Sequence, residues 1–155
     1  MNDFAALYQR DLTRLRQEID AYPAEDALWL LTEGISNPAG NLCLHLIGNL
    51  RTFIGLTLGQ VPYLRDRPAE FASRNVPKKE LLAGLDELLP IITGTLEKLT
   101  DEDLKKPYPG DPLGYEMSVG YFLIHLNGHL NYHLGQIDYH RRILTHNGAI
   151  ALAVN

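Results

Sequence analysis

The chain lacks the features that mark several large protein classes. Its single cysteine, Cys43, excludes an intramolecular disulfide. It has no basic run: Arg14/Arg16, Lys78/Lys79 and Lys105/Lys106 are isolated pairs, and the formal net charge is -5. A chain of that sign is no general binder of phosphate backbones, so nucleic acid is not expected as a partner. No stretch approaches the roughly 20 apolar residues that a membrane-spanning helix needs, so no membrane partner is expected either. The opening Met-Asn-Asp-Phe has no positive segment followed by an apolar run. No signal peptide is therefore expected, and a cytoplasmic, bacterial-type protein is the default reading. There is no Walker loop, no dinucleotide-binding glycine pattern and no Ser/His/Asp order, and neither repeats nor low-complexity segments occur.

What is present fits one compact domain over residues 1–155. A hydrophobic share of 45% with 21% charged residues is ordinary for a globular chain of this length. Four long helical patterns stand out, with no convincing strand. The first spans residues 3–20, where Phe4, Leu7/Tyr8, Leu12, Leu15 and Ile19 recur at helical spacing. A short helical turn around Trp29 follows. The second long helix is expected to start with Asn37 as its cap and Pro38 in the first turn, and to run to about Leu58, with Gly59 as its stop. It is apolar on most faces, which predicts a central place, but one polar stripe survives: Asn41, His45, Asn49. Gly48 adjoins that stripe and would let a neighbouring helix approach closely. Residues 60–75 are expected to form a long connection, enough to climb the side of a bundle. The third helix opens near Pro77, and Pro90 predicts a kink within it. Thr100 caps a short acidic turn, and residues 105–116 read as loop. Ser118 caps the last helix, which ends near Thr145 with Asn147-Gly148 as a left-handed stop. The tail from Ala149 is expected on the surface or in a subunit contact. The sum is an all-α four-helix bundle.

Five of the six histidines crowd this last region: His125, His129, His133, His140 and His146. His125, His129 and His133 recur at steps of four, and so share one helical face. Each imidazole, taken singly, reads as an ordinary satisfied or solvated side chain. Together they are harder to explain, because each neutral ring has a donor and an acceptor to satisfy, at about 1–3 kcal/mol if buried unpaired. A divalent ion is a shared partner, and imidazole suits zinc, nickel and iron. His129 and His133 can place two nitrogens on one ion, and His45 supplies a third from the facing stripe of the second helix. Three protein ligands leave open positions, as catalytic sites do. His125 either acts on substrate beside the metal or is a satisfied core histidine. Gln136 and Asn49 suit hydrogen bonds to the ligand imidazoles. His140 is expected to be peripheral, His146 solvated, Cys43 packed and Asp138 at the solvent face. Tyr121, Tyr132 and Tyr139 read as packing or rim residues. Pocket walls are expected from Trp29, Phe53 and the segments 60–75 and 105–116.

The string His125-x3-His129-x3-His133-x-Gly135-Gln136, with His45 in the stretch Asn37-Pro-Ala-Gly-Asn-Leu-Cys-Leu-His45-Leu-Ile-Gly-Asn49-Leu-Arg51, resembles the DinB/YfiT-like family of metal-dependent enzymes. The resemblance follows the helix order of the whole chain but is specific only in those two segments. It implies an up-down-down-up topology, a divalent ion on His45, His129 and His133, and a homodimer. The ion would be zinc or nickel, with iron or manganese as further options. It also implies a small-molecule substrate, since characterised relatives include transferases and isomerases that use low-molecular-weight thiols. A hydrolase, a non-catalytic metal-binding or stress-related bundle, a structural bundle with hydrogen-bonded histidines, and a haem bundle remain as alternatives.

Overall fold

The structure, a computed structural model, describes residues 2–150. Among them are six α-helices and no strand, only an isolated bridge between Pro107 and Ser118. The tail expected on the surface lies mostly outside the described residues.

Helix α1, Asp3–Asp20, has the expected bounds. Asn2 caps it by accepting from the Ala5 amide at 2.9 Å, and it buries Ala5, Tyr8, Leu12, Leu15 and Ile19. A 3-10 turn, Asp26–Trp29, seats Trp29 so closely against Gly40 that a β-carbon there would lie 2.7 Å from the indole. Trp29 is thus a packing residue and does not line the cleft beside His133.

Helix α2, Ala39–Leu50, starts one residue later than expected. Pro38 is the cap, with an extended ψ of 165°, which leaves Asn37 outside the helix. Beyond Leu50 the helix widens into a π turn, Arg51–Leu56, in which Thr57 donates to Thr52 O at 3.1 Å and Gly59 to Ile54 O at 2.9 Å. Such widenings often accompany functional sites. The connection of residues 60–75 is not bare loop. It folds helix α3, Arg67–Ala72, capped by Asp66 through the Ala69 amide.

Helix α4, Lys78–Leu96, runs unbroken through Pro90. Helix α5, Asp101–Lys105, has a reciprocal capping box between Thr100 and Asp103. Helix α6, Val119–Thr145, is capped by Ser118 as expected. Its end is closed by His146, which takes the left-handed conformation (φ 55°) and donates to Arg142 O, so Gly148 is not the stop. Gly148 instead offers its carbonyl to Arg141 at 3.2 Å.

Side-chain pairs fix the direction of each long helix. Asn2 bonds Leu96 O, and Lys78 bonds Asp20 O and Tyr22 O, so α1 and α4 are antiparallel. Tyr8 bonds Leu123 O and Glu18 bonds Arg141, so α1 and α6 are parallel. Phe53 packs on Phe122 and His45 on His129, so α2 opposes α6. The topology is up-down-down-up, and α3 lies on the long climb between the two parallel helices α2 and α4. Between α1 and α6 lie two buried polar ties. Asp11 accepts from Asn127 and Asn131, and Arg141 pairs with Glu18 at 2.6 Å, each side chain only 1% exposed.

Candidate metal centre

Helix α2 presents His45 inward because nearly every other face of it is apolar and buried. Helix α6 presents His129 and His133 one turn apart. Their ring nitrogens converge. His129 Nε2 lies 3.3 Å from His45 Nε2 and 3.1 Å from His133 Nε2, and one nitrogen from each ring falls within 4.8 Å of the others.

The opposite edges of two rings are committed elsewhere. His45 Nδ1 donates to Glu70 Oε2 at 3.0 Å, and His133 Nδ1 donates to Gln136 Oε1 at 2.7 Å. Each bond fixes the tautomer and leaves Nε2 without a hydrogen. Two lone pairs therefore point toward the same space. His129 can offer a hydrogen to only one of them, and its own Nδ1 is buried with no hydrogen-bond partner. Three nitrogens facing one another without enough protons form a poor hydrogen-bonded cluster and a good donor set for a divalent ion.

Electrostatics favour the neutral form of His45 and His129. Burial pushes the His129 pKa down to about 4, helped by the charges of His133, His45, His125 and Arg65. Burial also lowers the pKa of His45, against the raising effect of Glu70. Three imidazole nitrogens could hold zinc, nickel, iron or manganese, and a tetrahedral ion would keep one position open.

Glu70 and Arg65 support the cluster from outside, and the sequence reading missed both. Arg65 grips Glu70 with two bonds, Nε to Oε1 at 2.7 Å and Nη2 to Oε2 at 2.9 Å. Glu70 is 6% exposed and lies so close to Gly48 that a β-carbon there would collide with its carboxylate. What fills the space at Gly48 is thus the Glu70 side chain from α3 and not the backbone of a neighbouring helix. One readable signal existed: Asp66-Arg-Pro-Ala-Glu70 has a capping aspartate, a first-turn proline and an acid, which opens a helix.

The other expectations divide. Gln136 orients His133 as expected, whereas Asn49 makes no hydrogen bond to any imidazole. The residue is 8% exposed and its Oδ1 is buried without a partner. Cys43 is wholly buried among apolar residues, and burial pushes its thiol up to about 12. His146 is exposed. Asp138 is only part-exposed, paired with Arg141 and Arg142. His140 is not peripheral: it is 3% exposed, held by the Tyr22 hydroxyl at 2.7 Å and by Leu30 O at 2.9 Å. His125 stays outside the cluster, exposed and stacked on Phe122 at 5.8 Å, one turn before His129.

A cleft of about 520 Å³ opens beside the cluster, with His133 and Gln136 in its wall. Ile35, Leu42, Tyr132 and Ile143 line it further. Phe53 and the segment 105–116 do not. Phe53 packs against Phe122, and residues 65–71 cover the histidines from the other side through Arg65, Glu70 and Phe71. No helix among the described residues is long and apolar enough to cross a membrane.

The fold is similar to the crystal structure of a DinB-like protein from Bacillus cereus ATCC 10987. The two match with a TM-score of 0.71 and 18% identity, over 92% of this chain and 91% of that one. No functionally curated protein matches. A sequence model of the DinB superfamily matches residues 7–137, a span that holds all three clustered histidines. With that span covered and the helix topology in place, the chain belongs to the DinB superfamily.

Proposed function

We propose that the protein is a cytoplasmic, metal-dependent enzyme acting on a small molecule, with a low-molecular-weight thiol as one substrate. His45, His129 and His133 are the ligands, and zinc or nickel is the resident ion. The observation that carries this reading is the convergence of three imidazole nitrogens, two of them stripped of hydrogen by bonds to Glu70 and Gln136. A divalent ion in that donor set supplies Lewis acidity, which lowers the pKa of a thiol or water at its open position.

The chain's own residues do the remaining work. Glu70, gripped by Arg65, and Gln136 hold two of the ligand rings in place. The cleft beside His133 receives the second substrate and shields it from water with Leu42, Ile143 and the tyrosine rims. His125 is exposed one turn away, where an imidazole nitrogen takes the thiol proton. In an S-transfer the thiolate sulfur then forms a bond to an electrophilic carbon, and the leaving group departs with its electron pair. The same machinery with water as nucleophile would make the protein a hydrolase.

The active form we propose is a homodimer. Helix α6 leaves Tyr121, Ile124, Tyr132, Tyr139 and Ile143 at least half exposed along one line, an apolar face suited to a second copy. Light scattering on Ile124→Glu tests it, with a monomer expected.

Elemental analysis of the purified protein tests the metal reading. One ion per chain is expected in wild type and is lost in His129→Ala and His133→Ala. Failure of the zinc- or nickel-loaded protein to conjugate any small thiol would overturn the transferase reading.

A further inference from the structure

The strongest unexplained feature near the histidines is Asn49. A primary amide carries two donors and a carbonyl acceptor. Here the residue is 8% exposed, and its carbonyl oxygen Oδ1 is buried without a hydrogen-bond partner. Leaving a buried polar atom unpaired costs about 1–3 kcal/mol. The fold could have avoided that cost with a leucine, as it does at Leu42, Leu46 and Leu50 on the same helix.

Its position along α2 fixes its layer in the bundle. His45 pairs with His129 across the bundle and Phe53 with Phe122. Asn49 is midway between His45 and Phe53, so it stands opposite residues 125 and 126. Because α2 and α6 are antiparallel, four residues forward on α2 and four back on α6 are steps in one direction. Asn49 and His125 therefore occupy the same layer, about 6 Å along the bundle from the ligand histidines. The cleft walled by His133 lies on the other side of the cluster.

We infer that Asn49 is a recognition residue for an amide group of the substrate, held one helical turn from the atom that approaches the metal. A carboxamide offers a donor and an acceptor together, and its best complement is another amide, which offers the same pair. The substrate class is thus a metal-binding head group separated from an amide by two or three atoms. With a thiol as the head, this inference rests on the function proposed above.

The test uses zinc-loaded protein and two matched probe pairs, measured by isothermal titration. N-acetylcysteamine and 1-pentanethiol share a thiol head, and N-acetylhistamine and 4-pentylimidazole share an imidazole head. Wild type is expected to prefer the amide member of each pair by about tenfold, the worth of one or two hydrogen bonds. Asn49→Leu, and Asn49→Ser as a second variant, abolish that preference without loss of zinc. Metal-free Asn49→Leu melts higher than wild type, since an unpaired amide has gone. A preference confined to the imidazole pair keeps Asn49 in its role and removes the thiol reading. No preference in wild type, a preference that survives in both variants, loss of zinc, or a lower melting temperature in Asn49→Leu would each overturn the inference.

Discussion

Replacing Glu70 with glutamine separates charge from shape behind the candidate metal centre. The carboxylate is 6% exposed and accepts three bonds, from His45 Nδ1 at 3.0 Å and from Arg65 Nε and Nη2 at 2.7 and 2.9 Å. Glutamine keeps one acceptor oxygen. If that oxygen stays on His45, its amide nitrogen meets Arg65 Nε, donor against donor. If it turns to Arg65, the nitrogen meets His45 Nδ1 and drives that hydrogen onto Nε2, the ligating edge. Either choice costs something. Losing a partner of this kind typically weakens metal binding by 10–100-fold, about 1.4–2.8 kcal/mol. The metal-free fold loses a charge-assisted pair, but the Arg65 side chain is 16% exposed and water recovers part of it. The loss in unfolding free energy should be about 1–2 kcal/mol, toward the low end for bonds to charged groups. A chelator competition titration gives the zinc affinity, and urea melts of metal-free protein give the stability. Zinc affinity within twofold of wild type, alongside the expected stability loss, would refute the reasoning. Glu70 would then only tie α3 to the bundle.

Gly48→Ala should reproduce the metal defect from the opposite side, because the new methyl collides with the Glu70 carboxylate; the same titration checks it, and unchanged affinity contradicts it. Arg141→Met strands a buried Glu18 carboxylate and should cost about 3–5 kcal/mol in urea melts, whereas Arg141→Met with Glu18→Leu recovers most of that. Burial holds the folded-state pKa of His140 below its ordinary value, so the unfolded chain binds the proton more readily. Its contribution to stability is complete above about pH 6.5, the ordinary histidine pKa, and is lost as pH falls toward the lower folded value. Melts of His140→Gln from pH 8 to 5 should therefore show a shallower acid-side loss than wild type, and equal slopes would refute the assignment.

How much of this site was legible depends on sequence distance and helical phase. The bounds of α1 and α6 could be read because strong caps and unbroken apolar periodicity agree there. The pair His129 and His133 could be read because four residues on one helix nearly close a turn. The burial of His140 was equally readable and was misjudged. Seven residues past His133 is within about 20° of two full turns, so His140 must face the same way as His133. Glu70 was harder. It sits on a six-residue helix inside a polar, proline-bearing connection, 25 residues from the ring it supports, and only the return of that connection past Gly48 brings the two together. The π turn left no mark in composition, since its hydrogen bonds are backbone choices reinforced by Thr52 on Gly48 O and Thr57 on Thr52 O.

Topology turns a one-dimensional histidine stripe into a layered site. Read along α6 alone, His125, His129 and His133 are three equivalent rungs. Set against an antiparallel α2, they stop being equivalent, because each rung meets a different residue. His133 meets the start of α2 and the cleft beside Leu42. His129 meets His45, and the two share their nitrogens. His125 meets the layer of the unpartnered Asn49. A parallel pairing of the same two helices would put Asn49 on the His133 side and leave His125 opposite the helix start. The long climb that carries α3 lets α4 run parallel to α2, and the return of the chain between α1 and α2 sets α2 antiparallel to α1 and so to α6. Chain direction therefore decides which histidine meets His45, which one borders the cleft and which one shares a layer with Asn49.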